Sequence, residues 1–273
     1  MKEIDRYLLF GLPKVGGWLE PTTAEFIATI SSLQHQARYS GAVGEIGVHH
    51  GKLLILLRLA ADRDERVFAI DVFEDQSLNV DGSGHGDRQI LEDNLKRWCG
   101  SAQNVSIIAK SSLDVTPDEL LATCGRVRLV SIDGGHTAEC TYNDLKLIEA
   151  VAHDYVVVAL DDYFNEDWPD VSTGAARYMS ESNTRLRPFA ITPNKIFLTT
   201  PEYNEAYRLK LATHTPFRSY KTSEMFGSKV DVFHGPRAQP PLGHYIRLRV
   251  RSSAIGPYLL FIKGAIGQRL GRR

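Results

Sequence analysis

Four residues that directly follow two apolar runs could do chemistry together. Asp133 and His136 follow the run Val127–Ile132, and Asp161 and Asp162 follow the next such run along the chain. Runs that are apolar throughout predict buried parallel strands, whose carboxyl ends meet at one edge of a sheet. Carboxylates gathered there repel one another unless a cation neutralises them, and oxygen ligands favour Mg²⁺ or Mn²⁺. The alternative is that Asp161 and Asp162 cap a turn or pair with arginines.

His136 lies three residues after Asp133 and therefore on the same predicted edge. Coordination to a cation lowers the pKa of a hydroxyl and fixes its oxygen, and a nearby histidine can then take the proton as general base. A neighbouring hydroxyl would complete the chelate, which favours a vicinal diol. The alternative for His136 is a helix cap. His49 and His50 are expected to line a cofactor site or to pack structurally, and His85 is a candidate to close over the site from a glycine-rich loop.

A second group of residues lies where the first predicted strand meets the first helix. Glu45, Gly47 and Gly51 form the pattern E-x-G-x-x-x-G, and Asp71 ends the next strand twenty residues further on. This is where open α/β sheets bind nucleotide-type ligands, and Asp71 could accept both hydroxyls of a ribose. The spacing is not G-x-G-x-x-G, and Glu45 would repel a pyrophosphate. An acidic loop suits the ammonium and sulfonium of S-adenosylmethionine better than a dinucleotide. Taken singly, Glu45 would be a solvated turn residue and Asp71 a helix cap.

The composition argues against several other classes of protein. The 273 residues carry a net charge of −1, which gives no electrostatic reason to expect nucleic acid as a partner. The cysteines, Cys99, Cys124 and Cys140, lack metal-type spacing and predict reduced thiols in a cytoplasmic protein. No uncharged apolar run reaches the roughly 18 residues that span a bilayer. The basic tail, residues 255–273, predicts a helix packed on its own domain, with a peripheral membrane or partner contact as the alternative.

Strands and helices alternate along most of the chain, which predicts an α/β fold with helices on both faces of the sheet. We expect seven strands, mostly parallel, with an antiparallel pair at one edge. The predicted strands are Ala42–Val48, Val67–Ile70, Val105–Ala109, Val127–Ile132, Tyr155–Leu160, Phe189–Ile191 and Lys195–Thr199.

Three parts of the chain are predicted to differ in role. Residues 1–40 form a lead-in and helix, either a lid or a packed element, and residues 41–200 form the ligand-binding domain. Residues 201–273 are an elaboration of the same domain, because the regular alternation of strands and helices stops near Pro201. That last part would shape an acceptor pocket or form an interface between copies of the chain.

The strand-end residues resemble a known family. Glu45–Gly51 and Asp71 look like the first two motifs of class I S-adenosylmethionine-dependent methyltransferases, which have a Rossmann-like sheet. The block Ile132–His136 and the pair Asp161 and Asp162 resemble one branch of that superfamily. It is the branch of small-molecule O-methyltransferases that includes macrocin O-methyltransferase. The resemblance extends over most of the chain up to residue 200.

The resemblance implies an enzyme that binds S-adenosylmethionine and methylates a hydroxyl of a sugar or oligosaccharide. Ser111 stands where the family contacts the adenine, although Lys110 and Ser111 occupy positions where many members have an acid. The cofactor contacts would be Glu45, Gly47, Gly51, Asp71, Ser111 and Asp133.

The resemblance also implies a divalent cation, Mg²⁺ or Mn²⁺, held by Asp133, Asp161 and Asp162. Related catechol O-methyltransferases have an acid and an amide where this chain has two acids, which leaves open whether both members of the pair bind the ion. The alternative functions are methylation of a catechol or another small diol, a metal-dependent oxidoreductase or hydrolase on the same sheet, and a non-catalytic binding module.

Overall fold

A computed structural model describes residues 3–102 and 105–234 of the chain. The helices are α1 Glu3–Arg6, α2 Pro21–Gln36, α3 Lys52–Ala60, α4 Arg88–Cys99, α5 Pro117–Cys124, α6 Ala138–Val151, α7 Pro169–Ser180 and α8 Pro201–His214. The strands are β1 Ala42–Ile46, β2 Val67–Asp71, β3 Val105–Ala109, β4 Val127–Ile132, β5 Ala152–Asp161, β6 Arg187–Thr192, β7 Lys195–Thr199, β8 Lys221–Met225 and β9 Ser228–Val232. All seven strands expected from the sequence are present, with ends that differ by a few residues.

The strands form one sheet in the order β3-β2-β1-β4-β5-β7-β6-β9-β8. Strands β1 to β5 are parallel, and β7 is antiparallel to both β5 and β6. This confirms the predicted class of fold. The predicted count of seven strands is two too low, because the described residues contain nine. The hairpin β8–β9 joins the sheet beside β6, so the antiparallel pair is not at the edge. Strand β8 is largely exposed and polar, and such a segment has no apolar pattern that would assign it to a sheet.

Helices cover both faces of the sheet, as predicted. Helices α2, α3 and α8 pack on one face, where Phe26 and Leu54 lie in a fully buried core. Helices α5, α6 and α7 pack on the other face, where Leu145, Ile148 and Tyr178 are equally buried. Because both faces are covered, the parallel strands between them are largely apolar, with Glu45, Arg128 and Ser131 as buried exceptions.

The carboxyl ends of β1 and β4 lie side by side at the point where the strand order reverses. Ile46 pairs with Ile132, and the N–H of Asp133 donates to the carbonyl of Ile46 at 2.8 Å. Gly47 follows β1 with a φ of 80°, and a Cβ there would lie 1.7 Å from the carbonyl oxygen of Asp133. Only glycine lets these two loops meet so closely. Ligands of open α/β sheets bind at such a reversal.

A buried arginine joins helix α2 to the amino end of the sheet. Arg128 of β4 is fully buried, and its guanidinium donates to both carboxylate oxygens of Glu65, at 2.5 and 2.6 Å. It also donates to Ser31 and Gln34 of α2. Buried charges persist only where they are paired and hydrogen-bonded, so this network fixes α2 against the sheet.

The chain after residue 200 adds α8 and the β8–β9 hairpin to the sheet. Arg208 of α8 forms a salt bridge with Asp231 of β9, with Nε and Oδ2 2.9 Å apart. The basic tail lies outside the described residues, as does His244–Val250, which the sequence offers as a possible β segment. The domain boundaries remain predictions. Among the helices of the described ranges, none combines the length and the apolarity needed to cross a membrane.

Candidate active site

An open cleft of about 570 Å³ follows the carboxyl ends of the parallel strands. Its volume lies within the usual range for sites that bind small molecules. Seven of the nine predicted site residues line the cleft: Gly47, Asp71, Ser111, Asp133, His136, Asp161 and Asp162. Glu45 and Gly51 are not among its lining residues. The fold therefore brings these seven residues to one continuous surface.

Asp71 ends β2 and holds the loop that follows β1. Its Oδ2 accepts hydrogen bonds from the N–H groups of Val48 and His49, at 2.6 and 2.8 Å, and its Oδ1 accepts from the N–H of Phe73 at 2.7 Å. A carboxylate offers about four acceptor positions, so these three bonds do not exhaust it. Asp71 thus shapes the cofactor loop, and its predicted contact with a ribose remains a prediction.

Glu45 and Gly51 support the loop without lining the cleft. Glu45 is 3% exposed within β1, and its Oε2 has no hydrogen-bond partner. Burial raises the pKa of Glu45 well above its usual value, and the charge of Asp133 raises it further. Gly51 has a φ of 85°, and a side chain there would meet Leu91. Their predicted cofactor contacts stay predictions, as does that of Ser111, which lines the cleft.

Asp133, His136 and Asp162 form a compact cluster on the cleft. Nε2 of His136 lies 3.2 Å from Oδ2 of Asp162 and 3.6 Å from Oδ1 of Asp133. One potential ligand atom of each residue lies within 4.8 Å of the other two, a spacing that one metal ion could bridge. Asp162 has a left-handed backbone with a φ of 57°. Strained backbone of this kind is concentrated at functional sites.

Asp161 has different partners from Asp162. Its Oδ2 lies 2.5 Å from Nζ of Lys195, and its Oδ1 accepts hydrogen bonds from the side-chain amide of Asn194 and from the N–H of Asp162. The same Asn194 amide donates to Oδ1 of Asp162 at 2.8 Å. Of the three predicted metal ligands, the structure therefore clusters Asp133 and Asp162 with His136, and it pairs Asp161 with a lysine.

The loop between β2 and α4 holds the other side of His136. Oδ2 of Asp81 accepts hydrogen bonds from the backbone N–H of His136 at 2.6 Å and from its Nδ1 at 2.7 Å. Ser83 Oγ lies 3.1 Å from the same Nδ1. The ring of Trp168 stacks on the imidazole, with centroids 4.4 Å apart and an angle of 18°. These contacts fix the ring plane and leave Nε2 directed at Asp133 and Asp162.

The acids around His136 decide its protonation. Burial lowers the pKa of His136, but hydrogen bonds to Asp133, Asp162 and Asp81 outweigh it and raise the pKa to about 10. For Asp162, burial raises the pKa, and hydrogen bonds from His136 and Asn165 lower it more strongly, to about 2. The isolated cluster therefore holds a proton on His136 at neutral pH. A cation bound to the carboxylates of Asp133 and Asp162 would oppose the protonation of His136.

Three residues of the site were not predicted from the sequence: Asp81, Asn194 and Lys195. Asp81 lies in the glycine-rich loop that the sequence did indicate, Asn194 directly precedes β7, and Lys195 is the first residue of β7. The sequence indicated the loop of Asp81, but it carried no local signal for a contact with His136, which lies 55 residues away. The contacts of Asn194 and Lys195 depend on the pairing of β7 with β5, where Lys195 lies opposite Asp161.

The remaining histidines have other roles. His49 lines the cleft, where its ring lies 5.7 Å from that of Trp18, whereas His50 stacks on His49 and does not line the cleft. His85 is exposed, and its Nδ1 lies 3.1 Å from Oε1 of Gln76. His85 does not line the cleft, and Asp81 and Ser83 make the contacts between the glycine-rich loop and His136.

Replacing Asp81 with asparagine is expected to lower turnover by about 10- to 100-fold, the usual effect of losing a carboxylate that orients a functional histidine. The amide removes the negative charge beside Nδ1 and no longer fixes the tautomer. The measurement is steady-state turnover with the pH–rate profile. The acidic limb should shift to lower pH, because a carboxylate that raised the pKa of His136 is gone. Asp75→Asn, in the same loop, serves as control, and equal losses in the two variants would contradict the role of Asp81.

Comparison with known proteins agrees with this geometry. Residues 45–163 match the sequence model of a family described as a methyltransferase domain. No curated protein sequence matches the chain closely enough to count as a relative. The match begins at Glu45 and ends just after Asp162, and it therefore covers all nine site residues predicted from the sequence.

Solved O-methyltransferases share the fold. The O-methyltransferase NovP is 17% identical, with 66% of this chain and 80% of that chain covered and a TM-score of 0.57. The cofactor-bound protein Rv0187 from MTB is 16% identical over 71% and 87% of the two chains, with a TM-score of 0.52. An O-methyltransferase from Bacillus cereus in complex with SAH is 12% identical over 72% and 89%, with a TM-score of 0.51. Residues 45–163 are thus similar in sequence to a methyltransferase domain. The fold of the chain is that of the O-methyltransferases.

Proposed function

We propose that the protein transfers the methyl group of S-adenosylmethionine to a hydroxyl of a neutral sugar or glycoside, with the help of a divalent cation. The proposal depends on one observation. The cluster of Asp133, His136 and Asp162 lies on the same cleft as Gly47, which follows β1, and Asp71, which ends β2. One half of the cleft offers a cofactor site, and the other half offers a base beside two acids.

The cleft suits S-adenosylmethionine chemically. Gly47 brings the backbone to the cleft surface at the strand reversal, and Asp71 stands at the end of the next strand. Among the described residues that line the cleft, Lys110 is the only lysine or arginine. The acidic lining favours a cofactor with a sulfonium and an ammonium over one with a pyrophosphate. Bound S-adenosylmethionine supplies an electrophilic methyl group.

The acids also fit a hard divalent cation. Asp133 and Asp162 would hold it, since both offer carboxylate oxygens within reach of the same point and oxygen donors are the preferred ligands of Mg²⁺ and Mn²⁺. Such an ion supplies Lewis acidity, which lowers the pKa of an acceptor hydroxyl. The cation requirement predicted from the sequence thus has two suitably placed acids and a histidine beside them.

His136 is the proposed general base. Its Nε2 would take the hydroxyl proton as the acceptor oxygen forms its bond to the methyl carbon and the bond from that carbon to sulfur breaks. Asp81 holds the Nδ1 side of the ring and stabilises the imidazolium that results. Trp168 covers one face of the imidazole and keeps it in plane. His136 therefore removes the proton, and Asp81 and Trp168 position its ring. Much of the rate comes from holding the reactants in line.

The walls of the cleft favour an uncharged, partly apolar acceptor. Trp18 is 79% exposed and Val80 is 58% exposed, although both line the cleft. Exposed apolar side chains at a site mouth bind apolar faces such as that of a sugar ring or of its attached group. Asp167, which also lines the cleft, adds negative charge that disfavours an anionic acceptor. A neutral glycoside with adjacent hydroxyls meets these conditions.

Two measurements test the proposal. Calorimetric titration should show binding of S-adenosylmethionine and none of NAD, and NAD binding would favour an oxidoreductase instead. A panel of neutral glycosides should then accept methyl groups from labelled cofactor in the presence of Mg²⁺. Removing one hydroxyl of an adjacent pair should abolish transfer to the other, because the chelate is lost. Methylation of catechols but of no glycoside would move the function to the catechol class.

A further inference from the structure

Lys195 is a buried cation directly beside the acids of the site. It lies on β7 opposite Asp161 of β5 and is 2% exposed. Its Nζ lies 2.5 Å from Oδ2 of Asp161 and 3.3 Å from Oγ of Ser131, which is also buried. Lys195 is not among the residues that line the cleft, so its ammonium serves the acids and not an acceptor.

Both oxygens of Asp161 are engaged by this arrangement. Lys195 binds Oδ2, and the amide of Asn194 and the N–H of Asp162 donate to Oδ1, at 2.8 and 3.1 Å. Oδ2 of Asp162, in contrast, faces Nε2 of His136, as does Oδ1 of Asp133. Asp161 ends β5 and Asp162 directly follows it, yet the Oδ2 atoms of these two acids contact different groups.

We propose that Lys195 keeps Asp161 out of the metal coordination and leaves Asp133 and Asp162 as the carboxylate ligands of the cation. This inference rests on the proposed function. A cation that displaced Lys195 from Oδ2 of Asp161 would leave the ammonium of Lys195 buried without its carboxylate partner. Such an unpaired buried charge is strongly unfavourable. Asp133 and Asp162 together carry the two negative charges that balance a divalent ion, and Lys195 already balances the charge of Asp161. Asp161 and Lys195 then form a buried pair beside the ligands, and neither of them contacts the ion.

Mn²⁺ binding to the full-length protein tests this without any turnover. Electron paramagnetic resonance counts free Mn²⁺ and gives the affinity of each variant. Asp162→Asn should weaken binding at least tenfold. The double variant Asp161→Asn with Lys195→Met removes both charges of the buried pair, and it should stay within threefold of the wild type. Asp75→Asn, which neutralises an acid that does not line the cleft, serves as the control and should also stay within threefold of the wild type. A double variant as weak as Asp162→Asn would overturn the inference.

Crystals of the wild-type protein soaked in Mn²⁺ show directly which carboxylates bind the ion. This test does not require that any variant folds. The anomalous peak should lie at bonding distance, about 2.1–2.3 Å, from oxygens of Asp133 and Asp162, with Asp161 still on Lys195. A bond from the ion to Asp161 would overturn the inference and leave the proposed function intact. A wild-type protein that binds no Mn²⁺ would overturn both.

Discussion

Replacing His136 with alanine is expected to lower turnover by about 10²- to 10⁴-fold at saturating cofactor and cation, the usual contribution of a general base. The imidazole is the group in the cluster of Asp133, His136 and Asp162 that can take a proton from a hydroxyl at Nε2 while Asp81 supports it at Nδ1. Alanine removes the base. The conformation of the loop is expected to stay the same, because the neighbouring glycines set it. The measurement is single-turnover methyl transfer, which separates chemistry from product release.

The pH dependence gives the same prediction an independent test. A base must be unprotonated, so wild-type turnover should rise with pH until His136 has lost its proton, and this limb should be absent from His136→Ala. His85→Ala is the matched control, because His85 is exposed and contacts Gln76 instead of the acid cluster. Its rate should stay within about twofold of the wild type. A loss below about tenfold in His136→Ala would contradict a base at this position.

Removing divalent cations with EDTA is expected to reduce turnover to that of a reaction without enzyme, and Mg²⁺ or Mn²⁺ should restore it. The contribution of a metal ion to such a step is several kcal/mol, which corresponds to more than about 10²-fold in rate. Without the ion, the acceptor hydroxyl keeps its high pKa, and Asp133 and Asp162 keep His136 protonated. Both effects lower the rate in the same direction.

A binding measurement distinguishes loss of the cation from damage to the protein. Calorimetry in EDTA should still show S-adenosylmethionine binding. The loop around Gly47 is held by hydrogen bonds from backbone N–H groups to the carboxylate of Asp71, and these bonds need no ion. Readdition of Mg²⁺ should restore turnover without a change in cofactor affinity larger than a few-fold. Full activity in excess EDTA would contradict the metal role and leave the methyltransferase class unaffected.

The cleft residues that the sequence predicted share a local origin. Asp71, Asp133, Asp161 and Asp162 each directly follow or end an apolar run, and a run that is apolar throughout specifies a parallel strand buried on both faces. Because the strands are parallel, their ends must gather at one edge. The positions of these acids therefore follow from strand pattern and chain direction alone. Gly47 follows in the same way, since the loop after the first strand needs a residue without a side chain.

The partners of those residues depended on contacts between segments far apart in the chain. Asp81 reaches His136 across 55 residues, and Lys195 reaches Asp161 through the register of an antiparallel pair. Arg128 lies within an apolar run, and its ion pair with Glu65 joins residues 63 apart. Sequence pattern carries no signal for such pairings, because a charged residue in a strand or loop has many possible partners until the sheet forms.

The sequence by itself determined the class of fold and the edge of the sheet that carries the chemistry, because hydrophobic periodicity and strand ends are local properties. It also supplied the acids, the histidine and the glycine that the fold brings to one cleft. Only the tertiary structure decided which acid faces His136 and which one faces Lys195. Asp161 and Asp162 are adjacent in the chain, and they differ because the left-handed backbone at Asp162 and the register of β7 send their carboxylates to different neighbours.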